Sequence, residues 1–138
     1  MKNTKIILLT LLMLGSLISC SATNGNKSNN PTKWVVLGKR TVSKIADHDE
    51  IRVTASKGTF RKIKLKVTQS PIFVTNVRIV YANGTSENHV INKRINKGRS
   101  SRVLDLKGKK RIIKKIVFNY RTKLLANGKA RITVLGKH

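Results

Sequence analysis

The chain has 138 residues, of which 39% are hydrophobic, and a formal net charge of +25 from 30 Lys and Arg against 5 Asp and Glu. This length fits one hydrophobic core and excludes a second, and the composition is that of a globular rather than a disordered protein. The sequence pI near 11.4 indicates a positive field that attracts nucleic acid, anionic lipid headgroups, lipopolysaccharide phosphates and acidic polymers alike. The composition therefore narrows the partners to anions without choosing among them.

The N-terminus has the order of a signal peptide. Lys2 and Lys5 precede an uncharged, mostly apolar run over residues 6–18. As a helix this run would span roughly 20 Å, which is short of the ~30 Å hydrocarbon core that a transmembrane helix crosses. The pattern predicts a cleavable segment rather than a permanent transmembrane anchor.

The apolar run ends in Leu17-Ile18-Ser19-Cys20, which resembles the lipobox of bacterial lipoproteins. The resemblance implies a signal peptide at 1–19, acylation of Cys20 and attachment to a membrane through its lipid chains. Ser21 is not the aspartate that resembles an inner-membrane retention signal, so the outer membrane is favoured. The alternative is a plain secretory signal in which Cys20, the single cysteine of the chain, stands by accident.

A flexible tether is predicted over residues 20–33, because residues 21–33 contain no large apolar side chain. As a coil it would span about 20 Å. One basic domain then fills residues 34–138.

The domain is predicted to be all-β. In residues 60–67, Ile63, Leu65 and Val67 alternate with lysines, as a half-buried strand requires. The same alternation places Phe73 on one face with Val77. Runs of this type predict about eight strands, near 34–42, 50–54, 60–67, 72–81, 87–92, 102–106, 111–121 and 129–136. Their spacing favours an antiparallel two-sheet β-sandwich, with a jelly roll as one form of it.

Two turns and one irregular strand refine this prediction. Asn83-Gly84 and Asn127-Gly128 each favour a tight hairpin with positive φ angles. Residues 111–120 break strict alternation, which predicts a β-bulge or a central strand covered on both faces.

Four motifs carry a resemblance to a known family. They are Trp34-x-x-Leu37-Gly38, Gly98-x-x-Ser101-x-x-x-Asp105-Leu106, Arg111-x-Ile113-x-x-Ile116-x-Phe118 and Ala130-x-Ile132-x-Val134-x-Gly136. Together they resemble the domain of unknown function 2541 family of small secreted bacterial β proteins. The resemblance implies an architecture and no activity.

The scarce acidic residues are the candidates for chemistry. Asp47-His48-Asp49-Glu50 could form a divalent-cation site or an acid/base pair, or a polar connection closed by an Asx-turn. Asp105 stands in an apolar strand and is expected to pair with Arg102 or Arg111. We expect no catalytic constellation, metal or cofactor elsewhere in the chain.

Basic residues give the stronger signal. The candidate polyanion-binding residues are Lys62, Lys64, Lys66, Lys93, Arg94, Lys97, Arg99, Arg102, Lys107, Lys109, Lys110, Arg111, Lys114 and Lys115. They are predicted to form one continuous positive face, unless the charge is only a solvated surface. The six aromatic residues are mostly predicted to be buried, which disfavours specific nucleic-acid binding by base stacking.

The sequence thus predicts a lipid-anchored, non-catalytic envelope domain that binds an anionic lipid, lipopolysaccharide or an acidic polymer. Two alternatives remain open. One is a metal-dependent or acid/base enzyme centred on residues 47–50, and the other is an assembly module that binds a protein partner along a sheet edge.

Overall fold

The computed structural model describes residues 33–42, 47–121 and 129–138. The predicted signal peptide, Cys20, most of the tether and the Asn127-Gly128 turn lie outside the described residues. The strands are β1 (Val35–Val42), β2 (His48–Arg52), β3 (Thr59–Phe60), β4 (Lys62–Thr68), β5 (Ile72–Tyr81), β6 (Ser86–Ile95), β7 (Leu104–Asp105), β8 (Arg111–Arg121) and β9 (Ala130–Lys137). The described residues also contain one 3₁₀ turn, at Ala55–Lys57, and no helix long enough and apolar enough to span a bilayer.

The strands form two antiparallel sheets, which confirms the predicted β-sandwich. The four-stranded sheet has the order β1-β9-β4-β7, and the five-stranded sheet has the order β2-β8-β5-β6 with β3 also paired to β8. With β3 set aside, this is the strand order of a jelly roll, in which two Greek keys are wrapped together. Among the described strands only β5 and β6 are neighbours both in sequence and in a sheet. The other connections between successive strands pass to the opposite sheet or to a non-neighbouring strand.

The core lies between the sheets and follows the alternation of the sequence. Ile63, Leu65 and Val67 of β4 are fully buried, while Lys62 and Lys66 are exposed on the opposite side of the strand. Each such buried side chain contributes about 1.5–3 kcal/mol to the free energy of folding. The hydrophobic pattern of β4 therefore fixes which face of this strand meets the core.

The predicted run over residues 60–67 is divided at Arg61 into β3 and β4. Phe60 pairs with β8 in the five-stranded sheet, whereas Lys62 pairs with β9 in the four-stranded sheet. The chain therefore crosses between the sheets at Arg61, whose N–H donates to the Lys137 carbonyl. Sequence alternation alone does not reveal this crossing, because Phe60 and Ile63 are both buried.

Strand β8 carries a β-bulge, which is one of the two alternatives that its sequence predicts. Its pairing with β5 shifts between Val80 opposite Lys115 and Tyr81 opposite Ile113, so that Lys114 is the extra residue. Ile113 and Ile116 consequently both face the core although they are three residues apart.

A second bulge, at Thr75 of β5, makes the predicted position of Phe73 wrong. The register shifts between Val74 and Asn76, so that Val74 and Val77 are both buried. Phe73 lies instead on the outer side of the five-stranded sheet, with the Arg121 guanidinium 4.9 Å from its ring centroid.

The β5–β6 hairpin is present, but its turn differs from the predicted two-residue form. The Gly84 N–H donates to the Tyr81 carbonyl at 3.0 Å, and the Tyr81 N–H donates to the Thr85 carbonyl at 2.9 Å. Gly84 has a φ of +86°, whereas Asn83 does not adopt a positive φ. This is the three-residue loop in which a β-turn is followed by a left-handed glycine.

The opening and closing family motifs meet in the core. A Cβ at Gly136 of β9 would lie 2.7 Å from Phe60 Cδ1 and 3.0 Å from both Leu37 methyl carbons. Only glycine allows β9 to approach these side chains so closely.

Candidate anion-binding site

The residues of the acidic cluster point in different directions. Asp49 is on the inner side of β2, where its Oδ1 accepts from Arg40 Nε at 2.8 Å and its Oδ2 accepts from the Tyr120 hydroxyl at 2.8 Å. Glu50 is on the outer side, where it is paired with Lys115 Nζ at 2.9 Å and Arg52 Nε at 3.3 Å. Successive side chains of a strand face opposite sides, so these two carboxylates do not converge on one substrate atom.

Electrostatics at the acidic cluster follows these contacts. The hydrogen bond from Lys115, followed by that from Arg52, lowers the pKa of Glu50. Burial, followed by the Asp49 carboxylate, raises the pKa of Tyr120 well above its usual range. Within the described part of the chain, no three His, Asp or Glu residues are grouped so that they could hold a metal ion. The contacts made by Asp49 and Glu50 are those of structural ion pairs.

Asp105 has a partner that sequence reasoning missed. The pairing of β4 with β7 sets Lys62 directly opposite Asp105, and Lys62 Nζ lies 3.1 Å from Asp105 Oδ1. The predicted pairing with Arg102 or Arg111 is therefore wrong. Arg102 donates to the Val90 carbonyl, and Arg111 lies 3.8 Å from the Tyr81 ring centroid.

The fourteen candidate basic residues do not form the predicted continuous face. Lys62, Lys64 and Lys66 lie on the outer side of the four-stranded sheet, where Lys64 Nζ is 4.2 Å from the Trp34 ring centroid. Lys115 lies on the outer side of the other sheet, on the opposite surface of the sandwich. The remaining candidates are on loops or near strand ends, apart from Lys114 at the bulge of β8. Lys107, Lys109, Lys110 and Lys114 are exposed.

Four of the candidates do line one cavity. The cavity has a volume of about 350 Å³ and lies between the end of β6 and the segment that follows it. We call it the cation cavity; its lining residues are Ile91, Lys93, Arg94, Ile95, Asn96, Arg99, Ser100, Ser101 and Arg102. Lys97, the fifth candidate of this region, is exposed but is not among the lining residues.

Backbone hydrogen bonds hold the segment 96–101 against the edge of β4. Gly98, with a φ of +79°, allows a turn in which the Arg99 N–H donates to the Asn96 carbonyl at 3.0 Å. The Gly98 N–H donates to the Val67 carbonyl, and the Val67 N–H donates to the Arg99 carbonyl. Arg99 therefore stands on a constrained backbone rather than on a free loop.

Ser101 completes this attachment. Its N–H donates to the Leu65 carbonyl at 2.7 Å, and its Oγ accepts from the Leu65 N–H at 3.0 Å. The side chain thus takes the place of a backbone acceptor at the edge of the sheet. The motif residues Gly98 and Ser101 are explained by this geometry.

The chemistry of the cation cavity suits an anionic group. No carboxylate lines it, although Lys93, Arg94, Arg99 and Arg102 all do. Ser100, Ser101 and Asn96 add neutral hydrogen-bonding groups, and Ile91 and Ile95 provide an apolar part of the wall. Arginine matches phosphate and carboxylate oxygens with paired N–H donors, so an anion would relieve the mutual repulsion of the four cations.

The buried carboxylate of Glu87 was not predicted from the sequence. The Glu87 side chain of β6 is only 4% exposed, and its Oε1 accepts from His89 Nε2 at 2.8 Å while its Oε2 accepts from the Lys107 N–H at 3.0 Å. Burial raises the pKa of Glu87, but these hydrogen bonds lower it by a larger amount, so that the pKa of Glu87 lies below its usual value. The hydroxyl of Tyr81 is also buried, and burial, followed by the Glu87 carboxylate, raises the pKa of Tyr81 well above its usual range. The alternation of β6, in which Glu87, His89 and Ile91 share one side, was the available signal.

Comparison with known proteins identifies the family. The family model described as a domain of unknown function (DUF2541) matches residues 6–136. The chain belongs to the DUF2541 family. No curated protein matches it. A solved structure of Pseudomonas aeruginosa AlgX is similar to this member of the DUF2541 family with a TM-score of 0.53 and 13% sequence identity, over 77% of this chain and 27% of that one. The chain thus spans about a quarter of AlgX, and the likeness concerns the fold alone.

Proposed function

We propose that this domain is a non-catalytic binding module of the bacterial cell envelope, and that its cation cavity holds an anionic group of an envelope polymer or of lipopolysaccharide. The observation that carries the proposal is that Lys93, Arg94, Arg99 and Arg102 all line one cavity, which no carboxylate of the described residues lines. We further propose that the protein is attached through acylated Cys20 and faces such ligands from the outer membrane.

The cavity has the size and the rigidity that such binding requires. Its volume of about 350 Å³ falls within the range of sites that take small ligands or single groups of a polymer. Because hydrogen bonds to β4 already fix the backbone at Arg99 and Ser101, little backbone conformational entropy is lost when these residues contact a ligand. Charge-assisted hydrogen bonds to phosphate or carboxylate oxygens would supply the affinity.

The whole protein also favours anions at longer range. Its five carboxylates neutralise few of its 30 basic side chains, so the positive field speeds the approach of a polyanion. That field alone would give binding without a defined site. The test must therefore distinguish binding at the cavity from attraction by the overall positive charge.

The test uses inorganic polyphosphate as the probe and the processed full chain in detergent as the protein. Affinity is measured against salt concentration for the wild type, for Lys93→Gln/Arg99→Gln in the cavity, and for Lys109→Gln/Lys110→Gln in the β7–β8 connection. The control pair carries the same charge change outside the cavity. Thermal unfolding of each variant verifies that it is folded.

Loss of two phosphate contacts should reduce the slope of log affinity against log salt by about 1.4–1.8, because each contact contributes roughly 0.7–0.9. We expect this reduction in the cavity variant, and a clearly smaller one in the control. Equal losses in both variants would mean a diffuse field without a site. Unchanged binding in both would refute polyanion binding at the cavity.

A further inference from the structure

The outer side of the five-stranded sheet carries a second polar surface, distinct from the lining of the cation cavity. It is a shallow depression of about 670 Å³ across β8, β5 and β6. We call it the amide face; its residues are Asn76, Arg78, Val80, Asn88, Lys115, Val117 and Asn119. The strand registers set Asn76 opposite Asn119, Arg78 opposite Val117 on β8 and Asn88 on β6, and Val80 opposite Lys115.

The two β-bulges create this face. The extra residue Thr75 shifts the phase of β5, so that Asn76 points outward between the buried Val74 and Val77. The extra residue Lys114 does the same on β8, so that Lys115 joins the amide face. Bulges re-aim side chains at this kind of position, and without them both residues would point toward the core.

Three amides form a hydrogen-bonded row across the strands. Asn119 Nδ2 donates to Asn76 Oδ1 at 2.5 Å, and Asn76 Nδ2 donates to Asn88 Oδ1 at 3.0 Å. This order leaves the Asn119 carbonyl oxygen and the Asn88 amino group directed away from the row, with further donor capacity on each amide. Such pairs of donors and acceptors suit the vicinal hydroxyl groups of sugars.

Cations follow the amide face along the strands. Arg78 stands in its middle and Lys115 at one end. At the other end, Phe73 is flanked in the register by Arg121 on β8 and Arg94 on β6. From Asn76 to Val80 the face runs about 14 Å along β5.

Glu50 is paired to this face through Lys115, whose Nζ lies 2.9 Å from Glu50 Oε2. Arg94 also lines the cation cavity, so the two surfaces adjoin. The face therefore combines neutral amides with a net positive charge.

We propose that the amide face binds a linear polysaccharide that carries carboxylate groups, with the chain lying along the strands. The amides would hydrogen-bond its hydroxyls, Arg78 would pair with a carboxylate, and the methyl groups of Val80 and Val117 would contact its C–H surfaces. A nucleic acid is disfavoured, because the Phe73 ring is covered by Arg121 and offers no free stacking platform. This proposal stands on its own surface and does not require a ligand in the cation cavity.

The test measures binding of oligogalacturonate by calorimetry, with a neutral dextran oligosaccharide as the comparison ligand. Asn88→Asp adds a negative charge to the amide row without changing its shape, and Arg78→Gln removes the central cation. Lys66→Gln is the matched control, because it changes the net charge by the same amount on the outer side of the other sheet.

We expect Asn88→Asp and Arg78→Gln each to weaken oligogalacturonate binding by about tenfold, which corresponds to one charge-assisted hydrogen bond, and Lys66→Gln to leave it nearly unchanged. Binding of dextran should be weaker than that of oligogalacturonate in the wild type. Loss of affinity in all three variants alike, or no binding of oligogalacturonate to the wild type, overturns the proposal. Polyphosphate binding that depends on Lys93 and Arg99 but not on Asn88 separates the two sites, so either proposal can fail alone.

Discussion

Replacing Glu87 by Gln tests whether the buried carboxylate stabilises the attachment of the segment after β7 to strand β6. Glu87 accepts one hydrogen bond from His89 and one from the backbone N–H of Lys107, which joins β6 to the segment after β7. The Gln side chain has one carbonyl oxygen and one amino group, so it can accept only one of the two bonds. Its amino group would then face either the Lys107 N–H, which is a donor, or the His89 Nε2, which could accept only after a change of tautomer. Hydrogen bonds to buried charged groups contribute about 1.5–3 kcal/mol each, so we expect the free energy of unfolding to fall by about 2 kcal/mol at pH 7.

The lowered pKa of Glu87 also predicts how the effect of this substitution on stability changes with pH. The pKa of Glu87 in the folded protein lies below its ordinary value of 4.5, so the carboxylate stabilises the fold above about pH 4.5. That contribution is lost as the pH falls through the folded pKa. The Glu87→Gln variant has no such contribution to lose, so its stability deficit should shrink on going from pH 7 to pH 3.

Urea unfolding followed by circular dichroism at several pH values measures both effects. Glu50→Gln serves as the control, since the Glu50 ion pairs are on the surface and their loss should matter far less. A deficit of the same size at pH 7 and pH 3, or a variant as stable as the wild type at pH 7, would refute the role given to Glu87.

Three further changes test other parts of the structure. Gly136→Ala should lower the free energy of unfolding by about 1–3 kcal/mol in urea titrations, because its Cβ would overlap the Phe60 ring; a neutral effect would contradict the close packing of β9. Ser101→Ala leaves the Leu65 N–H without its side-chain acceptor, and hydrogen exchange at Leu65 should become faster than at the other β4 amides. Cys20→Ala should release the protein from membranes or block its processing in cell fractionation, and unchanged membrane association and cleavage would rule out the lipoprotein prediction.

The amide face and the cation cavity are each formed by residues from separate segments of the chain, which strand pairing and loop attachment bring together. Asn76 and Asn119 are 43 residues apart in the chain and meet only because β5 pairs with β8. Arg94 and Arg99 line one cavity because residues 96–101 turn back and form hydrogen bonds with β4 of the other sheet.

The sequence by itself determined most of the strands and, away from the bulge at Thr75 and the crossing at Arg61, their buried sides, because the two-residue period is a local property of the chain. Ile63, Leu65 and Val67 had to face a core wherever β4 was placed, and the crowded pattern around Ile113 and Ile116 indicated either a bulge, which is present, or a strand covered on both faces.

Only the tertiary structure decided which strands pair, since pairing energies depend on partners far away in the sequence. Because β4 pairs with β7, Asp105 forms its ion pair with Lys62 rather than with Arg102 or Arg111. The bulge at Thr75 places both Phe73 and Asn76 on the outer side of the sheet, because the extra residue is defined by the register of β5 with β8 and not by β5 alone.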